Sequence, residues 1–277
     1  MIPAALAPLL PVCLAVVVAC WLLSVVTREY SWVDRIWSVM PPVYVAIATW
    51  QTGFQPRLVL MTALTAAWGV RLTFNFWRKG GYAAGGEDYR WEILRERLGP
   101  LGFQVFNATF IAPYQNLLLL LIAAPAAWAA AHPAPLGPAD LVLAALFVAL
   151  LASETVADEQ QWRFHRRKAA LRERGEPIER PFLDEGLFAW SRHPNYACEI
   201  GQWWVVWGFG VAASGVWLDW TLAGPVLLTL LFDGSTRFTE AITLSKYPSY
   251  AVYQRTTGRW IPRPWSRSAS AVQRGQS

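Results

Sequence analysis

Charge is scarce in this chain: Asp, Glu, Lys and Arg make up 16% of 277 residues, against about 25% in soluble domains. Cysteine is scarcer still, with three residues, which is too few for a disulfide framework. Cys13 and Cys20, seven apart in one apolar run, lie two helical turns apart and cannot bridge. All three cysteines are read as packing thiols. No glycine cluster follows a strand and opens a helix as a Gly-x-Gly-x-x-Gly fingerprint does, so a dinucleotide site of that kind is excluded. Internal repeats, a soluble second domain and a metal-ligand pattern are also missing. The first apolar run, Ile2 to Val26, has no basic leader and no small-residue cleavage site before Arg28, so it is expected to stay as a membrane helix.

What is present is apolar: 55% hydrophobic residues, including 17 Trp and 13 Phe. Disorder, collagen and coiled-coil classes are thereby excluded. Windows of about 20 residues, the length that crosses a hydrocarbon core, mark Ile2 to Val26, Val33 to Trp50, Leu58 to Trp77, Phe103 to Ala131, Asp140 to Trp162, Tyr196 to Val216 and Leu222 to Leu244. The expected fold is all-α, a polytopic membrane protein of seven spans. One membrane domain is expected over residues 1–265, followed by a polar tail over 266–277. Pro41-Pro42 should interrupt the second span and Pro113 should kink the fourth.

The net charge of +5 gains meaning from its position. Basic residues crowd the first, third and fifth connections, from Arg28 to Arg35, Arg78 to Arg97 and Arg163 to Arg192, and the C-terminal tail. The second connection has Arg57 alone, and the fourth and sixth have none. The positive-inside rule then puts the N-terminus outside and the C-terminus in the cytoplasm. The surplus charge orients helices and meets lipid headgroups or a phosphate-bearing ligand, and no nucleic-acid partner is expected. Oligomeric state is not legible.

Trp21, Trp50, Trp77, Trp128, Trp162, Trp217 and Trp220 near span ends read as interfacial anchors. Ionisable residues inside apolar spans say more, because their burial is costly and usually functional. They are Asp34 and Arg35, Arg71, Glu154 and Asp158, Glu199, and Asp233, Arg237 and Glu240. Glu154 and Asp158 share a helical face, as do Asp233, Arg237 and Glu240, which suggests one polar cavity opening to the cytoplasm. Asp34 and Arg35 have a plainer alternative, pairing with each other. The glycine-rich stretch Gly80 to Trp91 reads as a flexible loop, and Arg163 to Arg174 as a basic loop.

The segment Ser191-Arg192-His193-Pro194-Asn195-Tyr196-Ala197-Cys198-Glu199 enters a membrane helix with Pro194 in its first turn. Such a helix start offers free N–H groups to a phosphate or carboxamide. Asn195 and Glu199 lie one turn apart and can grip a carboxamide or ribose hydroxyls, while Arg192 and His193 sit at the membrane boundary, where phosphates would lie.

These residues, with Asp34 to Ser38, Glu87 to Trp91 and Tyr247 to Pro262, make the chain resemble the steroid 5α-reductase C-terminal superfamily, in its bacterial branch of uncharacterised membrane proteins. The resemblance implies an enzyme of the bacterial inner membrane that binds NADPH and saturates the C=C bond of an enone in a lipid-like substrate. The family's Asn-x-x-Gly-Glu/Asp motif becomes Asn195 to Glu199, with Cys198 in place of Gly. By the same resemblance Asp158 contacts the nucleotide, and Asp34 takes the place of a substrate-holding Glu, donating to the carbonyl if protonated. The family's Tyr falls on Trp68. Arg166, Arg167, Arg192 and Arg237 are expected at the phosphates, with His193, Tyr196, Glu240 and Tyr247 completing the cofactor set and Tyr89 closing over it. A second resemblance, to isoprenylcysteine carboxyl methyltransferases that use S-adenosylmethionine, rests on Arg192-His193-Pro194 and the C-terminal tyrosines. A non-enzymatic membrane scaffold is the third class.

Overall fold

A computed structural model describes residues 6–83, 85–179 and 181–262, together with the backbone but not the side chain of Tyr89. The described residues are helical, with no β-strand and a single isolated bridge. The helices are α1 (Leu9–Thr27), α2 (Trp32–Trp37), α3 (Met40–Gln51), α4 (Pro56–Arg78), α5 (Tyr89–Phe106), a π-helical segment (Asn107–Tyr114), α6 (Gln115–Ala131), α7 (Pro138–Glu173), α8 (Pro194–Ser214), α9 (Ala223–Lys246) and α10 (Tyr250–Thr256). Four helical runs are long and apolar enough to cross a membrane: Leu9–Thr27, Pro56–Arg78, Arg90–Ala131 and Pro138–Glu173. The chain is therefore described as a membrane protein. The polar tail expected over residues 266–277 lies outside the described residues.

Prolines and glycines cut the apolar windows where backbone chemistry requires it. The second window is broken after Trp37, and Pro41-Pro42 fall in the first turn of α3, where a missing N–H costs no helical bond. The 42-residue run Arg90–Ala131 is interrupted at Gly99, which takes φ 68° before Pro100. Pro113 does not produce a plain kink. It sits in eight residues of π-helix, where the wider turn accommodates the lost hydrogen bond.

The chain divides into two compact units, Met1–Leu146 with Trp203–Leu228, and Phe147–Gln202 with Thr229–Ser277. In the first, α6 is the hub. It is buried on nearly every side, through Leu118 to Leu120 and Ile122 to Ala127, and α1, α3 and α4 pack on it. Its alanines let neighbouring backbones approach closely. At Gly224, for example, an added Cβ would lie 2.3 Å from the Leu121 carbonyl oxygen. The exposed side of α1, with Leu14, Val18, Leu22 and Val26, forms a surface for lipid, while Cys13, Cys20 and Ser24 make up much of its buried strip.

Arg57, the lone cation of the second connection, is neutralised. Its Nε and Nη2 donate to the two carboxylate oxygens of Asp140 at 2.7 and 2.9 Å, and Nη2 also donates to the Pro135 carbonyl at 3.0 Å. Both side chains are buried, and Asp140 accepts the Gly137 N–H at 2.8 Å. The pair thus ties the Pro/Gly turn before α7 to the start of α4. Asp140→Asn should strand the guanidinium and cost about 3–5 kcal/mol. In a thermal melt in detergent, the Arg57→Leu/Asp140→Leu double variant is expected to recover most of that loss.

Candidate functional site

The second unit gathers most of the polar side chains singled out by the sequence. Ser191 to His193 run parallel to Gly258-Arg259: Arg192 N–H donates to the Gly258 carbonyl at 2.9 Å and His193 N–H to the Arg259 carbonyl at 3.0 Å. Pro194 then starts α8. The Arg192 side chain is buried. Its Nε and Nη2 donate to Glu240 of α9 at 2.7 and 3.1 Å, and Nη1 donates to the carbonyls of Gln254, at 3.0 Å, and Thr257. Those carbonyls lie at the end of α10, where helices leave acceptors unmet. Arg192 therefore joins α9 to the C-terminal segment, and its fork points into the protein.

Glu240 accepts two further hydrogen bonds, from His193 Nε2 at 3.0 Å and Gln254 Nε2 at 3.1 Å, and Arg259 Nη2 lies at ion-pair distance, 3.7 Å. Arg259 also pairs with Asp233 at 2.6 Å, and Asp233 accepts from Arg237 at 2.6 Å. Arg237 keeps 67% of its side chain exposed. Tyr196 stacks on the His193 ring at 5.7 Å between centroids.

At the second residue of α8, Asn195 Nδ2 donates to Asp158 of α7 at 3.3 Å, and two turns further along Gln202 Nε2 donates to Glu154 at 2.6 Å. Glu154, Asp158, Glu199 and Gln202 are all buried. The two helices thus share a seam in which amides face carboxylates.

The stretch expected as a basic loop is helical as far as Glu173, because Arg, Lys, Ala, Leu and Glu are strong helix formers. Arg163, Arg167 and Lys168 consequently share one face. That face lines a cavity of ≈ 910 Å³ whose other walls come from residues 176–179 and 182–186, including Glu176, Glu179, Asp184 and Glu185. Arg166 is exposed and lies 5.9 Å from the Trp162 ring centre. Gly186 closes one end with φ 63°, and a Cβ there would meet Gln160 at 2.6 Å. Lys168 Nζ donates to the Pro181 carbonyl at 2.5 Å and to the Tyr247 hydroxyl at 3.2 Å. That hydrogen bond holds the Tyr247 pKa below the ordinary tyrosine value.

In the first unit, Asp34 does not pair with Arg35. Arg35 binds Glu29 at 2.7 Å, and Asp34 accepts from Trp91 Nε1 at 3.1 Å. The glycine-rich stretch is fastened rather than loose. Glu87 accepts the Tyr30 N–H at 2.6 Å, Glu29 accepts the Gly85 N–H at 3.2 Å, and Tyr82 donates to the Arg35 carbonyl at 2.9 Å. The Gly85 bond helps to hold the Glu29 carboxyl below the usual carboxylate range. Tyr89 begins α5, and its side chain lies outside the described residues. Trp68, fully buried, meets Trp203 edge to face at 4.8 Å.

Sequence reasoning missed Arg259, Gln254 and Gln202. Gln202 had a signal, since it lies one turn beyond Glu199 on the same helix. Arg259 and Gln254 lie in the Tyr247 to Pro262 stretch that carries the resemblance, but nothing in the sequence pairs them with Glu240, because their role comes from the return of the C-terminal segment. Among the described residues, no group of three or more His, Cys, Asp or Glu is arranged to hold a metal ion.

Residues 20–257 match the model of a protein family of unknown function, DUF1295. The chain belongs to that family. An uncharacterized protein of Schizosaccharomyces pombe is 36% identical over 259 residues, covering 88% of this chain and 75% of its own length. No solved structure matches.

Arg192→Lys keeps the charge but loses the planar fork. It is expected to release residues 254–259, raising amide hydrogen exchange there at least about tenfold while exchange in α4 and α6 stays unchanged.

Proposed function

We propose that this DUF1295 chain is a membrane-embedded, NADPH-dependent reductase of the steroid 5α-reductase type. In this reading it has seven spans, with the N-terminus outside, the C-terminus in the cytoplasm of a bacterial inner membrane, and a site open to the cytoplasm. The observation that carries the reading is the seam where Asn195 reaches Asp158, with Glu199 one turn along α8. It presents an amide and buried carboxylates near a helix N-terminus, a donor set that fits a carboxamide and ribose hydroxyls. The cavity beside α7 fits the rest of a dinucleotide in size and offers Arg163, Arg167 and Lys168 to its phosphates.

When bound, NADPH supplies a hydride to the β-carbon of an α,β-unsaturated ketone in a lipid-like substrate, and a proton then reaches the α-carbon. The protein's part is to hold the reacting carbons at about 3–3.5 Å, exclude water and stabilise the oxygen that gains charge. Asn195 and Glu199 orient the cofactor's polar edge, with Asp158 fixing Asn195. Arg167 and Lys168 take the phosphates. Arg192, turned onto Glu240, positions the start of α8, and His193 and Tyr196 flank it. Asp34 and Tyr89 are the proposed substrate-side pair, with Asp34 protonated so that it can donate.

Titration of the purified protein in detergent should show saturable NADPH binding, weakened about tenfold or more by Asn195→Ala and by Glu199→Ala. Saturable binding of S-adenosylmethionine with none of NADPH would replace this reading with the methyltransferase. For topology, a phosphatase reporter active only outside the cytoplasm should report when fused after Gly137 and stay silent when fused after Gly175 or Pro262. The opposite pattern would invert the orientation.

A further inference from the structure

Gln202 of α8 lies on the seam with α7 and takes no part in the proposed reduction. None of its surface is exposed. Its Nε2 donates to Glu154 Oε2 at 2.6 Å and to the carbonyl of Cys198, one turn back, at 3.2 Å. A carbonyl can only accept, so the atom facing it is the amide nitrogen and the other is the oxygen. Both amide hydrogens are therefore spent, while Oε1 has no hydrogen-bond partner among the described residues. Buried acceptors are normally paired, because an unmet one costs folding energy.

The bond to Cys198 draws the amide back along α8 to the level of Glu199. Glu154 and Glu199 are buried as well, so this stretch of the seam is rich in acceptors. Beyond it the seam turns to hydrocarbon: at Gly201 an added Cβ would lie 3.0 Å from Cδ1 of Leu150, which is one turn before Glu154 on α7. Towards the start of α8 the balance differs, because Asn195 brings an amide that donates to Asp158 and the first turn offers N–H groups. A ligand's hydroxyls, which both donate and accept, suit the Asn195 end. A group that only donates suits Gln202, and the NH2 of a primary carboxamide is such a group.

We infer that Gln202 reads the carboxamide of the nicotinamide, its Oε1 accepting one carboxamide N–H, while Asn195 and Glu199 hold the ribose hydroxyls. Gln202 is then a specificity-determining residue, and the ring enters the seam ahead of its ribose. The inference rests on the reductase reading and goes beyond it by choosing between the two groups that Asn195 and Glu199 could grip.

Three oxidised dinucleotides test it: NADP⁺, its 3-acetylpyridine analogue, in which a methyl replaces the NH2, and its thionicotinamide analogue, in which sulfur replaces the carbonyl oxygen. Each is titrated into the full-length protein in detergent. NADP⁺ should bind about tenfold more tightly than the acetylpyridine analogue, the value of one hydrogen bond, and within about twofold of the thio analogue. Gln202→Met, unbranched and close in size, should bring the acetylpyridine ratio near unity by weakening NADP⁺ and the thio analogue alone. A purely structural role would weaken all three together and keep the ratio. The comparison in the unchanged protein stands even if that variant fails to fold. Equal affinity for all three would overturn the inference and leave the reductase reading in place, as would a preference that survives Gln202→Met. A penalty on the thio analogue alone would put the carbonyl rather than the NH2 in the contact and overturn it too. Failure of every dinucleotide to bind would remove both readings.

Discussion

An ionised group taken out of water must meet its counter-charge and nearly all its hydrogen bonds within the protein, or the fold loses several kcal/mol. Glu240 is where the second unit meets this demand. One carboxylate, 3% exposed, gathers Arg192, His193 and Gln254. Through these contacts it determines where α8 begins, how α9 faces it and where the chain after α10 returns. The seam at Asn195 and Asp158 depends on the same placement, because Asn195 follows His193 by two residues. A bidentate fork also fixes direction as well as distance.

Much of the fold was legible because hydrophobic length is a direct physical signal. Among the described residues, most of each apolar window lies on helix, and Pro41-Pro42 and Pro113 mark local departures. What could not be read was how far a helix continues once it leaves the apolar window. The residues after Trp162 are charged, and charge says nothing against helix when the residues are Arg, Lys and Glu. The fastening of Gly80 to Asp88 was illegible for another reason: its partners Glu29, Tyr30 and Ser31 lie more than fifty residues away.

The candidate site was legible in kind more than in connection. Asn195, Asp158, Arg192, His193 and Glu240 stood out because polar residues in apolar sequence are costly. Their pairing did not, since Arg192 has several carboxylates at comparable reach along the sequence and only the packing selects Glu240. Membership in a family of unknown function leaves the chemistry to be argued from such contacts, and a buried arginine whose donors face inward is a different object from one that faces a cavity.

The return of the C-terminal segment also affects the timing of synthesis. Gln254, Thr257 and Arg259 are among the last described residues, yet they hold Arg192 and Glu240. While the chain is being made, Arg192 and Glu240 can meet each other as soon as α9 emerges, but their remaining partners, Gln254, Thr257 and Arg259, do not yet exist. The buried cluster closes only after residue 259 has emerged. A nascent chain that has not yet reached residue 250 lacks those partners, so the packing of α8 against α9 waits on the last turn of α10.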